Sequence, residues 1–439
     1  MSTVFLGTRL SGWSQGADNL VGLNMADARQ HSYVIGKTGS GKSTLLRNLV
    51  LQHIHAGHGV ALIDPHGDLA LDLLQHFPPS HADRLIYFDP SDLQYPIGLN
   101  PLFGVPRDQQ ALVADGLIGA FKSIWFDSWG PRMEYILANT LVALLECQNS
   151  TLLGVNRMLA DEEFRGWVIR QVHDPQVRFF WTQEFARYEP RFLREAIAPI
   201  QNKLGQLTLH PAIRNILGQV KTRVSFRHIV DNGQVFLGNL AKGKLGAEKA
   251  NLLGSLLVTQ FQLAAMSRAD QPEQLRRDFH LVIDEFHNFT TQSFATILAE
   301  ARKYRLSLTL SHQYLDQIAL PVRQAILGNV GTLIAFRVGY SDAFVFEQEL
   351  GRAFVASQFA DLNRYEFILR LLQNGQLIEP QRVGALPPLL TERHPHERRI
   401  RHCRERFARP RALVEDRLRR WTDSRVGRGL EHVNRPMVK

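Results

Sequence analysis

Gly36-Lys37-Thr38-Gly39-Ser40-Gly41-Lys42-Ser43-Thr44 is the stretch on which the fold turns. Its first eight residues satisfy the pattern of a glycine, any four residues, then glycine, lysine and serine or threonine. Ser32-Tyr33-Val34-Ile35 before it reads as a short buried strand. Leu45, Leu46, Leu49, Val50 and Ile54 after it recur at helical spacing. The glycines let the backbone curl until its amides converge on phosphate oxygens, and the following helix adds its unpaired amides and positive dipole end. Residues 36–44 are therefore expected to hold the phosphates of ATP. Lys42 would reach the β and γ phosphates, and the Ser43 hydroxyl would ligate Mg²⁺.

Outward from this loop, strand and helix alternate. Gly59 to Asp64 and Arg84 to Asp89 are apolar runs ending in an acid, separated by a helical stretch. That is a βαβ series and implies a parallel sheet. Residues 105–229 change character, with helical spacing in Met133–Glu146 and Phe192–Leu204, prolines as punctuation and no convincing strand. From Gln234 the alternation returns, through Gln234–Leu240, His280–Ile283, Leu306–Leu310 and Gly331–Val338. The expected class is α/β, a parallel-rich sheet interrupted by an all-helical insertion. The expected divisions are 1–104, with strands leading into the first part of the core; 105–229, the insertion; 230–390, the second part of the core; and 391–439, an arginine-rich helical tail.

Several later residues belong to the same chemistry. His280-Leu281-Val282-Ile283-Asp284-Glu285 is an apolar strand ending in two carboxylates. Beside a phosphate loop, Asp284 would hold the Mg²⁺ shell and Glu285 would orient or deprotonate the attacking water. Leu306–Leu310 runs into Ser311-His312-Gln313, at the edge of a parallel sheet where ligands gather. Gln313 could sense the γ-phosphate or hold the water, or simply cap the next helix. Glu300-Ala301-Arg302-Lys303-Tyr304-Arg305 carries a basic cluster that complements a helix dipole or reaches a neighbouring subunit's nucleotide.

Composition narrows the class. The chain has 439 residues with 44% hydrophobic and 21% charged, an ordinary globular balance that excludes full-length disorder and collagen-like readings. The two cysteines, Cys147 and Cys403, form no CxxC or Cys/His cluster, so neither a disulfide scaffold nor a zinc finger is expected. His53, His55 and His58 could suggest a metal site, but residues two apart on a helix do not share a face, so none is expected there. Trp125, Phe126 and Trp129 are read as packing residues rather than base-stacking ones. No basic start and apolar run opens the chain, and the uncharged stretch Ala250–Ser267 is interrupted by Asn251, Ser255, Thr259, Gln260 and Gln262. It reads as a buried helix, not a membrane span, and a cytoplasmic protein without membrane insertion is expected. The net charge is +9, and the last 49 residues alone hold 15 basic and 7 acidic side chains. That asymmetry suits a polyanion-binding segment. Val414, Leu418 and Trp421 at helical spacing equally suit an amphipathic helix with a solvated arginine face.

Taken together, these elements resemble the HerA and FtsK branch of P-loop motor ATPases, in particular cytosolic relatives of the conjugative coupling proteins of type IV secretion. The resemblance is carried by Val34 through Thr44, Ile63-Asp64-Pro65-His66-Gly67-Asp68, Ile283-Asp284-Glu285-Phe286-His287-Asn288-Phe289, Ala301-Arg302-Lys303-Tyr304, Ser311-His312-Gln313, and Gly328-Asn329-Val330-Gly331-Thr332 leading to Phe336-Arg337. It implies a RecA-like core, a homo-hexameric ring around single- or double-stranded DNA, and ATP with Mg²⁺ as fuel. It also implies a helical insertion that engages DNA and partners such as a relaxase, a nuclease or a secretion system. Arg302 falls where the family's arginine finger is expected, with Arg337 as second choice. Lys242 and Lys244 are candidates for a pore loop. Coupling proteins usually begin with transmembrane helices, and none is expected here; HerA proteins usually begin with a small β-barrel, for which the roughly 30 residues before the phosphate loop are expected to be too few. A small-molecule kinase and a non-enzymatic nucleic-acid adaptor are the rival classes.

Overall fold

The runs that read as strands do become strands, and they join one sheet. In the computed structural model, which describes residues 3–10, 19–290 and 294–423, the strands are β1 (Thr3–Arg9), β2 (Leu20–Asn24), β3 (Ser32–Ile35), β4 (Gly59–Asp64), β5 (Leu85–Phe88), β6 (Val235–Asn239), β7 (Phe279–Ile283), β8 (Leu306–His312), β9 (Thr332–Ala335), β10 (Glu366–Arg370) and β13 (Gln381–Ala385). Two short strands, β11 (Leu372–Gln373) and β12 (Gln376–Leu377), pair separately as a hairpin. The eleven-stranded order is β2-β1-β13-β10-β9-β3-β8-β7-β4-β6-β5.

From β9 to β5 every pairing is parallel, as the helical crossovers require. The strands β3, β4, β5, β6, β7 and β9 are buried at every residue, which is why they read as continuous apolar runs rather than alternating ones. Beyond β9 the sheet turns antiparallel through β10, β13, β1 and β2. The expected α/β class with a parallel-rich RecA-like sheet is what forms. β3, which feeds the phosphate loop, lies between β8 and β9 in the middle of the sheet.

The chain forms two compact units, each assembled from separate stretches. One holds the whole sheet and is made of residues up to Phe88, Phe226–Gly243 and Gln260–Ile400. The other is helical and is made of Asp89–Ser225, Lys244–Thr259 and the chain from Arg401 onward. These limits differ from the expected 105–229 and 391–439. Residues 94–99 join the helical unit through backbone bonds: Leu99 N donates to Ile216 O, Arg411 N to Gln94 O, and Ile97 bridges Ala408. No strand occurs among the described residues of the insertion.

The arginine-rich end forms two helices, Glu397–Phe407 and Arg411–Asp423. The second buries Val414 and Leu418 and sets Trp421 edge-on to Phe164 at 6.1 Å, with the Arg157 guanidinium 5.2 Å from the Trp421 ring. Arg417, Arg419 and Arg420 face outward. The packed amphipathic helix is thus present up to Asp423; the remaining tail residues lie outside the described part. Ala250–Ser267 falls mostly in the helix Ala247–Met266, with Leu252, Leu253, Leu256, Leu257 and Phe261 fully buried. Among the described residues no helix is long and apolar enough to cross a membrane. Trp125 is buried and stacks on Phe121 at 4.9 Å, while Phe126 is 72% exposed.

Candidate nucleotide site

The parallel strands deliver their carboxyl ends to one edge, and the site is built there. Ile35 ends β3 and the loop begins. Gly36 N donates to His312 O at 3.3 Å and Lys37 N to Arg337 O at 2.8 Å, so the loop is pinned to the ends of both neighbouring strands. Lys37, Thr38 and Gly39 are exposed, whereas Ser40 is buried. Gly41 caps the helix Lys42–His55 at φ 125°, a value a side chain rarely adopts, and a Cβ there would lie 2.9 Å from the ring of Tyr365. The Lys42 ammonium donates to Gly36 O at 2.5 Å and Lys37 O at 3.3 Å, folded back over the loop. Burial lowers its pKa, and Glu285 and Asp284 oppose that shift.

Asp284 and Glu285 follow β7 directly. Asp284 N donates to Ile63 O at 3.0 Å, which holds this turn beside the end of β4. Burial, then Asp64 and Glu285, push the Asp284 carboxyl up to about 6, against the pull of Lys42. Asp64 is also raised, by burial. Three carboxylates therefore gather near one ammonium. Such a donor set is short of positive charge and fits a hard divalent cation such as Mg²⁺. The exposed Ser43 hydroxyl and the Asp284 carboxylate are the groups that would hold it.

Glu285 has φ 44° and ψ 48°, a left-handed conformation that is costly for a non-glycine residue. Asn288 maintains it by donating from its backbone N at 3.0 Å and from Nδ2 at 2.8 Å to Glu285 O. Phe286 and Phe289 are buried and anchor the turn, and Phe286 packs on His312. The Asp-Glu-Phe-His-Asn-Phe string is thus a tight turn that keeps both carboxylates buried at the end of β7.

Gln313 connects the two halves. Its Nε2 donates to Glu285 Oε1 at 2.9 Å, and its Oε1 accepts from Thr38 Oγ1 at 3.1 Å. It also does not cap the next turn with its side chain; Gln317 Oε1 does that, accepting from Gln313 N and Tyr314 N. Next to this chain is a cavity of about 370 Å³ lined by Lys37, Thr38, Gln313, Asp316 and Asp342, among others.

The Asp-Pro-His-Gly-Asp string is structural support. Asp64 Oδ1 accepts from His66 N at 2.9 Å and Oδ2 from Ala70 N at 3.0 Å, so it caps the helix Asp68–Gln75 from outside. Gly67 stands at φ 93°, and a Cβ there would sit 2.0 Å from Asn239 Oδ1 at the end of β6.

The structure brings Lys42, Ser43, Asp284, Glu285 and Gln313 to one edge. It does not bring Arg302 there. Arg302 is exposed on the turn Ala301–Tyr304 that precedes β8, at the amino-terminal edge of the sheet. The Arg337 side chain is also exposed, but its carbonyl touches the loop. Lys242 donates to Asn288 Oδ1 at 3.4 Å, and Lys244 is exposed. Sequence reading missed His287, whose Nδ1 is 3.4 Å from Glu285 Oε2, and Gln317, whose Nε2 is 3.3 Å from His287 Nε2. The quoted string contained His287, but only the turn points it back at Glu285. His55 turns away to Leu51 O, while ligand atoms of His53, His58 and His280 lie within 4.8 Å of one another. The rings of His53 and His280 stack face to face at 3.9 Å, which packs them and keeps their in-plane lone pairs from converging.

Residues 9–103, which contain the phosphate loop, match the family described as helicase HerA, central domain. The fold is similar to that of the plasmid coupling protein TrwB in complex with ADP and Mg²⁺, at TM-score 0.63 and 17% identity over 90% of this chain and 97% of that one. It is also similar to TrwB in complex with a non-hydrolysable ATP analogue, at TM-score 0.60 and 19% identity over 89% and 96% of the two chains. VirB4 of Thermoanaerobacter pseudethanolicus gives TM-score 0.54 and 15% identity over 91% and 98%. A search of curated proteins finds no match. A segment similar to the HerA central domain thus surrounds the phosphate loop, and the fold around it is similar to that of plasmid coupling proteins.

Proposed function

We propose that this protein is an ATP-hydrolysing motor that moves DNA, working as a homo-hexameric ring. The observation that carries the reading is the Thr38–Gln313–Glu285 chain. It couples the loop that would hold the γ-phosphate to the carboxylate that would act on water, an arrangement suited to turnover rather than to passive nucleotide binding. Lys42 leaves its loop carbonyls to meet the outer phosphates. Glu285, oriented by Gln313, positions the attacking water and takes up its proton. Ser43 and Asp284 would hold Mg²⁺, which would supply positive charge against the outer phosphates. Arg302, placed away from its own subunit's loop, serves the neighbour's nucleotide in trans, so that loss of the γ-phosphate rearranges the interface. Lys242, Lys244 and the helical insertion are the groups assigned to DNA, and relaxases, nucleases or secretion components are the partner class.

ATP turnover with and without single- and double-stranded DNA, at two salt concentrations, tests this. DNA should stimulate wild-type hydrolysis and lose its effect at high salt. Lys42→Ala and Glu285→Gln should abolish turnover, with Glu285→Gln still binding ATP. A small-molecule kinase would ignore DNA, and an adaptor would bind DNA without turnover. Full activity in Arg302→Ala would remove the trans assignment. A HerA-type translocase that works with a nuclease shares all these outcomes and separates only by its partner.

A further inference from the structure

The two ends of the phosphate loop are not equivalent. Thr38, through Gln313, is tied to Glu285, and that contact marks the end where the terminal phosphate and the water must lie. The nucleoside must then leave from the other end, past Gly41 and over the first turn of the helix Lys42–His55.

Tyr365 stands at that end. Its N donates to Ser40 O at 2.8 Å, and its carbonyl accepts from Ala385 N at 2.7 Å, so its backbone is fixed to the loop on one side and to β13 on the other. Its ring lies against Gly41, close enough that a Cβ on Gly41 would be 2.9 Å from Cδ1. The residue is nonetheless 39% exposed, with the Arg364 guanidinium 4.7 Å from the ring centroid. Tyr365 also has φ 66°. Glycine or asparagine would meet that backbone at lower cost, so a large aromatic here carries a conformational cost.

We infer that Tyr365, with Arg364 over its ring, is the platform on which the base of the bound nucleotide stacks. This rests on the nucleotide-binding reading above and extends it from the phosphates to the nucleoside. Stacking on a ring face accepts any base, so the site would discriminate nucleotides from bare polyphosphate more than one base from another.

The test compares binding of ATP and of inorganic tripolyphosphate, each with Mg²⁺, by calorimetry on the full chain. Tyr365→Asn removes the ring while suiting the left-handed backbone, and Tyr365→Trp restores a ring. Tyr365→Asn should weaken ATP about tenfold and leave tripolyphosphate within twofold, with Tyr365→Trp returning ATP to within a few-fold of wild type. Equal weakening of both ligands would make Tyr365 a support for the loop, and unchanged ATP binding would make it a bystander. Either result overturns the inference while leaving the nucleotide site intact. Wild-type protein that binds neither ligand defeats the nucleotide-binding reading, and this inference with it.

Discussion

Asp284→Asn removes a charge that the fold holds under electrostatic strain. Asp284 is 8% exposed, and burial with Asp64 and Glu285 as neighbours lifts its carboxyl from the ordinary 3.8 to about 6. A carboxyl whose folded value exceeds its unfolded value stabilises less as pH rises between the two, and the loss is complete above the upper one. A gap of about two units corresponds to roughly 3 kcal/mol at pH 8, and to about half of that at pH 5. Asparagine keeps the Oδ1 that accepts from Glu285 N at 3.1 Å, so the substitution removes the charge without removing that hydrogen bond. Denaturant unfolding without divalent cations should find the variant more stable by about 1–3 kcal/mol at pH 8, with a smaller gain at pH 5. Millimolar Mg²⁺ with ADP should stabilise wild type and not the variant. A variant less stable than wild type at pH 8, or a gain that is the same at both pH values, would refute the carboxylate cluster as a strained cation site.

Three more perturbations separate roles within the fold. Gln313→Leu cuts the link between Thr38 and Glu285 and should lower single-turnover hydrolysis by at least about tenfold while ATP affinity stays within a few-fold; equal rates would leave Gln313 without a part in turnover. Gly67→Ala places a Cβ 2.0 Å from Asn239 Oδ1 at φ 93° and should cost about 2 kcal/mol or more in unfolding. Leu418→Ala empties a contact against Gly218, where a Cβ would lie 2.6 Å from Leu418 Cδ2, and should destabilise by about 2–4 kcal/mol; an unchanged unfolding curve would mean the tail helix contributes nothing to the fold.

The division between what residues announce and what the fold arranges is visible at particular positions. Gly36 to Thr44 could be read directly, because a phosphate cradle needs glycine backbone freedom and a lysine at fixed spacing, and both are local properties of the chain. The buried strands β3, β4, β5, β6, β7 and β9 were legible for the same reason: mostly apolar runs of four to six residues suit a parallel sheet covered on both faces. Asp284 and Glu285 could be seen as strand-end acids, though their partner loop is some 240 residues away in sequence.

Other features depended on tertiary placement. That Gln313 bonds both Thr38 and Glu285 follows from β8 lying beside β3 and β7, a pairing order that no local pattern encodes. That Tyr365 covers Gly41 follows from the loop before β10 crossing the sheet edge. The limits of the helical unit were set by Ile97, Ala408 and Arg411, whose backbone groups find partners far along the chain. Spacing within a segment fixes helix, strand and loop because those rest on bonds between near neighbours. Which strand lies beside which, and so which side chains meet at the edge, rests on burial shared among distant segments, and only the folded chain decides it.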